Sequence, residues 1–218
     1  METATIEKTV TTEPVEAAVP VIGTEKKLFY CFIKRSFDIL LSLLGLVVLF
    51  VPMLLIAIAI PLDSKGPAIF TQKRMGKGGK VFIMYKFRTM SPDAPAEMAA
   101  RDFHDAENYM TKFGWFLRRT SIDELPQLVN ILLGDMSIVG YRPVCLTETE
   151  LNELRMRYGV FTVRPGITGL AQVSGRDNVE YKEKALLDAK YVAERSLKMD
   201  LWCLIQTVRV VVTGEGVK

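Results

Sequence analysis

The sequence predicts a helix-rich α+β fold with an N-terminal membrane helix, small β-hairpin and strand elements, and amphipathic interfacial helices. Three observations predict it. From residue 39 to residue 62 no side chain is charged, a run long enough to cross a hydrocarbon core. Two strand-like runs flank a glycine-rich turn at residues 76–79. Leu197, Leu201, Leu204, Ile205, Val208 and Val212 recur at helical spacing, with Trp202 beside them.

The totals set the bounds. At 218 residues the chain holds one sizeable domain plus an attachment. A formal net charge of +3, with both signs plentiful, argues against a nucleic-acid-binding polycation. Cys31, Cys145 and Cys203 are isolated, and His104 is the single histidine. Neither a zinc site nor a disulfide framework is supported, and a reducing, cytosol-facing location is the default.

Residues 1–25, rich in Thr, Glu, Val and Pro, lack a signal peptide's basic start and cleavage site and read as a disordered tail. Residues 26–62 read as the membrane helix and 63–218 as a cytosolic and interfacial domain. The membrane helix has basic flanks on both sides: Lys26, Lys27, Lys34 and Arg35 before it, then Lys65, Lys73, Arg74, Lys77 and Lys80. The positive-inside tendency would keep both ends in the cytoplasm. Pro52, near the midpoint, removes one backbone hydrogen bond and favours a kink. Composition leaves open a straight span and a helix that enters, bends and returns.

Beyond Asp63, "PAIFTQKRMGKGGKVFIMYKFRTM" predicts a hairpin-like unit. A polar stretch then becomes helical, with Phe113, Trp115, Phe116 and Leu117 available for burial or for the membrane interface. "LPQLVNILLGDMS" predicts an apolar helix ended by Gly134. "GYRPV" and "FTVRPGITGLAQVSGR" predict loops joined to short strands.

Between these lies "RRTSIDELPQL", with adjacent carboxylates at Asp123 and Glu124. Ser121 through Glu124 matches a capping box, which would make the pair an acidic first turn of a helix. Pro126 fits that poorly, because a start nearer Glu124 or Leu125 suits proline better. Arg118 and Arg119 would oppose the helix dipole and make sense if an anion or a carboxylate cluster sits nearby. Arg88, Arg142, Arg164 and Arg176 lie in Gly/Pro loops that can present guanidinium forks to phosphate oxygens. Carboxylates beside phosphates either hold Mg²⁺ or attack phosphorus, and spacing does not separate the two.

The chain resembles the bacterial monotopic phosphoglycosyl transferases (bacterial sugar transferases, or polyprenyl-phosphate sugar-1-phosphate transferases). The likeness runs from about residue 34 to 213. It rests on "KRSFDILLSLLGLVVLFVP", "GPAIFTQKRMGK", "FIMYKFRTM", "RRTSIDELPQLVNILLGDMSIVGYRP" and "VRPGITGLAQVSGR". The resemblance implies an enzyme that moves a sugar 1-phosphate from a UDP-sugar to undecaprenyl phosphate on the cytoplasmic face of the bacterial inner membrane. That reaction starts exopolysaccharide or other glycoconjugate assembly, and the active site is cytosolic. The resemblance implies Asp123 as covalent nucleophile with release of UMP, and Glu124 as its partner in proton handling or metal positioning. It implies Mg²⁺ at Asp123 and Glu124, and phosphate contacts from Arg118 and Arg142, with Lys86, Arg88 and Arg164 as further contributors. It also implies a re-entrant helix broken at a Ser-Pro pair; here Pro52 is kept but Val51 replaces the serine. Tyr141 stands where the family often has proline. Membrane lipid is an implied partner, and a homo-oligomer is left open.

Overall fold

The computed structural model describes residues 27–95, 106–174 and 180–213. The tail reading of residues 1–25, together with His104 and Arg176, lies outside them.

The first helix, α1 (Leu28–Asp63), carries both Pro52 and Pro61 within it. Its 36 residues correspond to about 54 Å at 1.5 Å per residue. It is the one described helix long and apolar enough to cross a membrane, with a mean hydropathy of 3.1 over its best window. One face packs on the rest of the protein, on both sides of Pro52. Before the proline, Asp38 accepts a hydrogen bond from the Ile138 backbone N–H, and Gly45 lies against Leu128. After it, Met53, Ile56, Ala57 and Ile60 join a core around Phe87 and Leu117. The opposite face leaves Leu40, Leu44, Val47, Val48, Val51 and Leu55 exposed.

The hairpin is formed as the sequence predicts. β1 (Ile69–Met75) pairs antiparallel with β2 (Val81–Phe87), from Ile69 opposite Phe87 to Met75 opposite Val81. Gly78 and Gly79 in the turn both have positive φ, which glycine adopts without a Cβ penalty. Next come α2 (Lys112–Arg119), a 3₁₀ turn at Ile122–Glu124 and α3 (Gln127–Leu133). Gly134, at φ 95°, ends α3 by donating to the Asn130 and Ile131 carbonyls.

A second, parallel pair joins β3 (Ser137–Val139) to β4 (Gly166–Thr168). A close backbone approach follows β3. A Cβ on Gly169 would lie 1.7 Å from the Gly140 carbonyl oxygen, so only glycine fits there. Four further helices complete the chain: α4 (Thr149–Arg157), α5 (Leu170–Ser174), α6 (Tyr181–Glu194) and α7 (Leu197–Thr213). The predicted C-terminal amphipathic helix is α7, with Leu201, Trp202, Ile205 and Val208 exposed and Cys203 buried. The loop-and-strand expectation for residues 161–176 holds at β4 but is corrected at Leu170–Ser174, which form α5. α4 and α6 were not anticipated, because their many charged residues mask a short apolar pattern.

α3 is the hub. Its fully buried Asn130 accepts from the Tyr85 N–H and donates to the Ile83 carbonyl, extending the free edge of β2. This amide clamp sets the height of β2, and with it Lys86, against the segment that carries Asp123 and Glu124.

Candidate active site

The dyad lies in the 3₁₀ turn between α2 and α3, not in a regular helical first turn. Ser121 takes a left-handed conformation (φ 57°) and makes no capping bond with its side chain. It is the only non-glycine residue with positive φ among the described residues. The capping-box expectation is therefore corrected: Pro126 stands at the N-cap of α3, and Glu124 does not reach back to Ser121. The reason is electrostatic, since Glu124 is drawn instead to two cations.

Glu124 Oε1 lies 2.7 Å from Lys86 Nζ and 2.7 Å from Arg142 Nη2. Arg142 Nη1 reaches the other oxygen at 3.4 Å, completing a fork. Burial opposes the charged form of Glu124, but Arg142 and Lys86 outweigh it and hold the carboxyl well below the usual range. Asp123 is also buried, at 7% exposure. Its one salt bridge among the described residues is to Lys86 Nζ at 3.8 Å, too long for a hydrogen bond. Burial raises the Asp123 carboxyl above its ordinary value; Lys86 opposes this and the neighbouring Glu124 charge adds to it. Two adjacent carboxylates are thus divided in character. Glu124 is a committed counter-ion, whereas Asp123 is the more basic of the two and lightly held.

Arg118, exposed on α2, acts on Asp123 through charge without a close ion pair. Of the residues that the resemblance implies as phosphate contacts, Arg142, Lys86 and Arg118 therefore lie around the dyad. Arg88 and Arg164 do not. Arg88 is buried and donates to the backbone carbonyls of Ser64, Lys65 and Gly66, capping the exit from α1. Arg164 lies at the other end of α3, where its Nε donates to the Gly134 carbonyl at 2.7 Å.

Residues not singled out from sequence hold Arg142 in place. Arg155 is fully buried and donates from Nη1 to the Arg142 carbonyl at 2.9 Å. Its Nε and Nη2 grip Asp188 Oδ2 at 2.9 and 2.6 Å. Its guanidinium sits 5.1 Å from the centre of the Tyr141 ring, a cation–π distance. Tyr141 is buried edge-on against Phe161 and donates to the Met75 carbonyl at 3.4 Å. Arg74 reaches the Pro143 carbonyl at 3.4 Å from β1. The only sequence signal was Tyr141 in place of proline; a buried arginine on α4 is written like a solvated one.

For Mg²⁺, the residues fit a site in which Asp123 is the contributing carboxylate of the dyad and further ligands come from outside the chain. Asp123 has coordination capacity to spare, but both Glu124 oxygens face cations. Mg²⁺ is commonly held by one or two carboxylates plus substrate phosphates, which asks no more than Asp123 offers.

The chain belongs to the bacterial sugar transferase family, whose model matches residues 29–214. Among curated relatives it is 40% identical over 197 residues to the galactosyl transferase CpsE of Streptococcus agalactiae, covering 85% of this chain and 43% of that protein. It is 38% identical over 199 residues to the undecaprenyl-phosphate galactose phosphotransferase of Salmonella typhimurium, covering 85% and 41%. It is 38% identical over 198 residues to the exopolysaccharide production protein ExoY of Rhizobium meliloti, covering 84% and 87%. The chain thus spans less than half of the first two relatives and most of the third.

Proposed function

We propose that this protein transfers a sugar 1-phosphate from a UDP-sugar to a polyprenyl phosphate such as undecaprenyl phosphate, at a membrane surface. The observation that carries the reading is the division of the dyad: Glu124 is spent on Lys86 and Arg142, while buried Asp123 is left basic and lightly held. Relatives named as undecaprenyl-phosphate sugar phosphotransferases support the substrate pair.

In the first step an Asp123 carboxylate oxygen attacks the β-phosphorus. The bond from that phosphorus to the bridging oxygen breaks, and UMP leaves with the electron pair. A phosphosugar then sits on the Asp123 carboxylate. In the second step an oxygen of the lipid phosphate attacks the same phosphorus, and the Asp123 carboxylate is expelled. The product is a lipid-linked diphosphosugar. Arg142, Lys86 and Arg118 face the transferring phosphoryl group, where fixed cations stabilise developing charge. Glu124 is a positioning residue that keeps Lys86 and Arg142 side by side before substrate arrives. Mg²⁺, when bound, would offset the repulsion between Asp123 and the diphosphate.

The contacts of α1 support a monotopic, re-entrant placement, and the basic residues on both sides of the apolar run support the cytoplasmic face of the inner membrane. A straight span would carry one flank of Pro52 away from the domain, yet residues on both flanks pack on it. Cysteines introduced at Lys26 and Lys65 should both label from the cytoplasmic side; labelling of one alone contradicts this placement.

The rival function is a non-catalytic scaffold for the lipid carrier. Asp123→Asn is nearly isosteric, so the fold should persist while UMP release falls by at least ~10³-fold, as for loss of a catalytic nucleophile. Polysaccharide assembly at wild-type level in Asp123→Asn cells would favour the scaffold.

A further inference from the structure

The C-terminal end of α3 borders a cleft that the transfer reaction does not use. Lys34, Arg35, Lys77, Arg164 and Arg195 line it, against Asp38 as its one acidic lining residue. The dyad precedes α3 and the cleft follows it. The 7 residues of the helix, about 10 Å at 1.5 Å per residue, separate the two.

Some of this charge has a structural use. Arg35 donates to the Ile131 and Leu132 carbonyls, and Arg164 to Gly134, so both cover the open end of α3. Lys34 is paired with Asp200 at 2.8 Å. Arg195 donates from Nη1 to the Val192 carbonyl at the end of α6, but these backbone contacts place no counter-ion in the cleft. The guanidiniums of Arg35 and Arg164 are close enough to repel one another. Neither these two nor Lys77 and Arg195 has a carboxylate within 4 Å among the described residues. Arg164 spends only its Nε on Gly134, leaving the two Nη groups of the fork without a described partner. Lys77 sits exposed on the hairpin turn.

Position narrows the ligand. Lys34 and Arg35 lie one turn before the apolar run that begins at Ile39, on the same helix. Leu133, at the end of α3, is 65% exposed, and Leu197 and Leu201 of α7 are also exposed. A cationic cleft beside apolar surface at a membrane helix's entry matches the level of lipid phosphates. We infer that this cleft binds the phosphate of an anionic phospholipid head group, at a site separate from the dyad. The inference rests on the membrane placement above but not on the transfer chemistry. The lipid would neutralise the cleft and tie α1, α3 and the β1–β2 turn to one point on the membrane.

The test uses the full chain in neutral detergent and reads the thermal unfolding midpoint, which binding raises by mass action. Short-chain phosphatidylglycerol, phosphatidylcholine and inorganic phosphate are added at equal concentrations to wild type and to Lys77→Gln/Arg195→Gln. A saturable rise with phosphatidylglycerol alone, at least halved in the double variant, is expected. Lys77→Gln, a change at an exposed turn, should lower the apparent affinity several-fold by itself and serves if the double variant does not fold. Equal shifts from inorganic phosphate would make the cleft a free-phosphate site and overturn the lipid assignment. An undiminished shift in a folded variant, or no shift in wild type, would overturn the site. Unfolding is read without turnover, so failure of the transferase reading would leave this result standing.

Discussion

The two ends of α3 are both rich in cations, yet they treat charge differently. At the N-terminal end Lys86 and Arg142 are held by Glu124, 2.7 Å from each. At the C-terminal end Lys77, Arg164 and Arg195 meet no such carboxylate among the described residues. The first arrangement is preorganised: its cations are already held side by side, and little would have to move to meet the proposed diphosphate. The second carries uncompensated charge that an outside anion can relieve. One short helix thus separates the proposed transfer site from the proposed lipid site.

That contrast breaks most visibly if the support behind Arg142 is removed. Arg155→Met would leave Asp188 buried without its partner and should cost about 3–5 kcal/mol of stability, read by denaturant unfolding. Arg155→Met/Asp188→Leu replaces the pair with apolar bulk and should recover most of that loss. Activity should not follow, because the Arg142 carbonyl has lost its donor. A fall in turnover of about 10²-fold in the stable double variant is expected for a misplaced catalytic group. Full activity in that variant would make the pair structural only.

The pH dependence sharpens the division within the dyad. In the proposed mechanism Asp123 must be ionised to attack, and its carboxyl lies above its ordinary value, so the acid limb of the rate should sit above that of a free aspartate. Lys86→Met removes a charge that opposes this rise and should move the limb to higher pH. Glu124→Gln removes a repelling neighbour and should move it to lower pH. Each shift should be on the order of one pH unit or less, and shifts in the same direction would contradict the assignment.

Much of the fold was legible because its signals are local. The hairpin follows from the glycine-rich turn between strand-like runs, α3 from an apolar run closed by Gly134, and α7 from its spacing. The dyad was legible through motif resemblance, but its division of labour was not. The local pattern Ser121–Glu124 says capping box, and only the approach of β2 and the Arg142 loop redirects Glu124. Arg88 and Arg164 show the same limit. A loop arginine near Gly or Pro can grip a phosphate or cap a helix, and only tertiary contacts choose. Arg155 and Asp188, 33 residues apart, carry no local sign of their pairing.

The central claim is that Asp123, not Glu124, accepts the phosphosugar. The direct measurement incubates the purified chain with radiolabelled UDP-sugars and Mg²⁺ without lipid acceptor, then maps the label by proteolysis and mass spectrometry. The expected result is UMP release of up to one equivalent with the label on Asp123. Label on Glu124, or no UMP release and no adduct across a full panel of sugars, would contradict it.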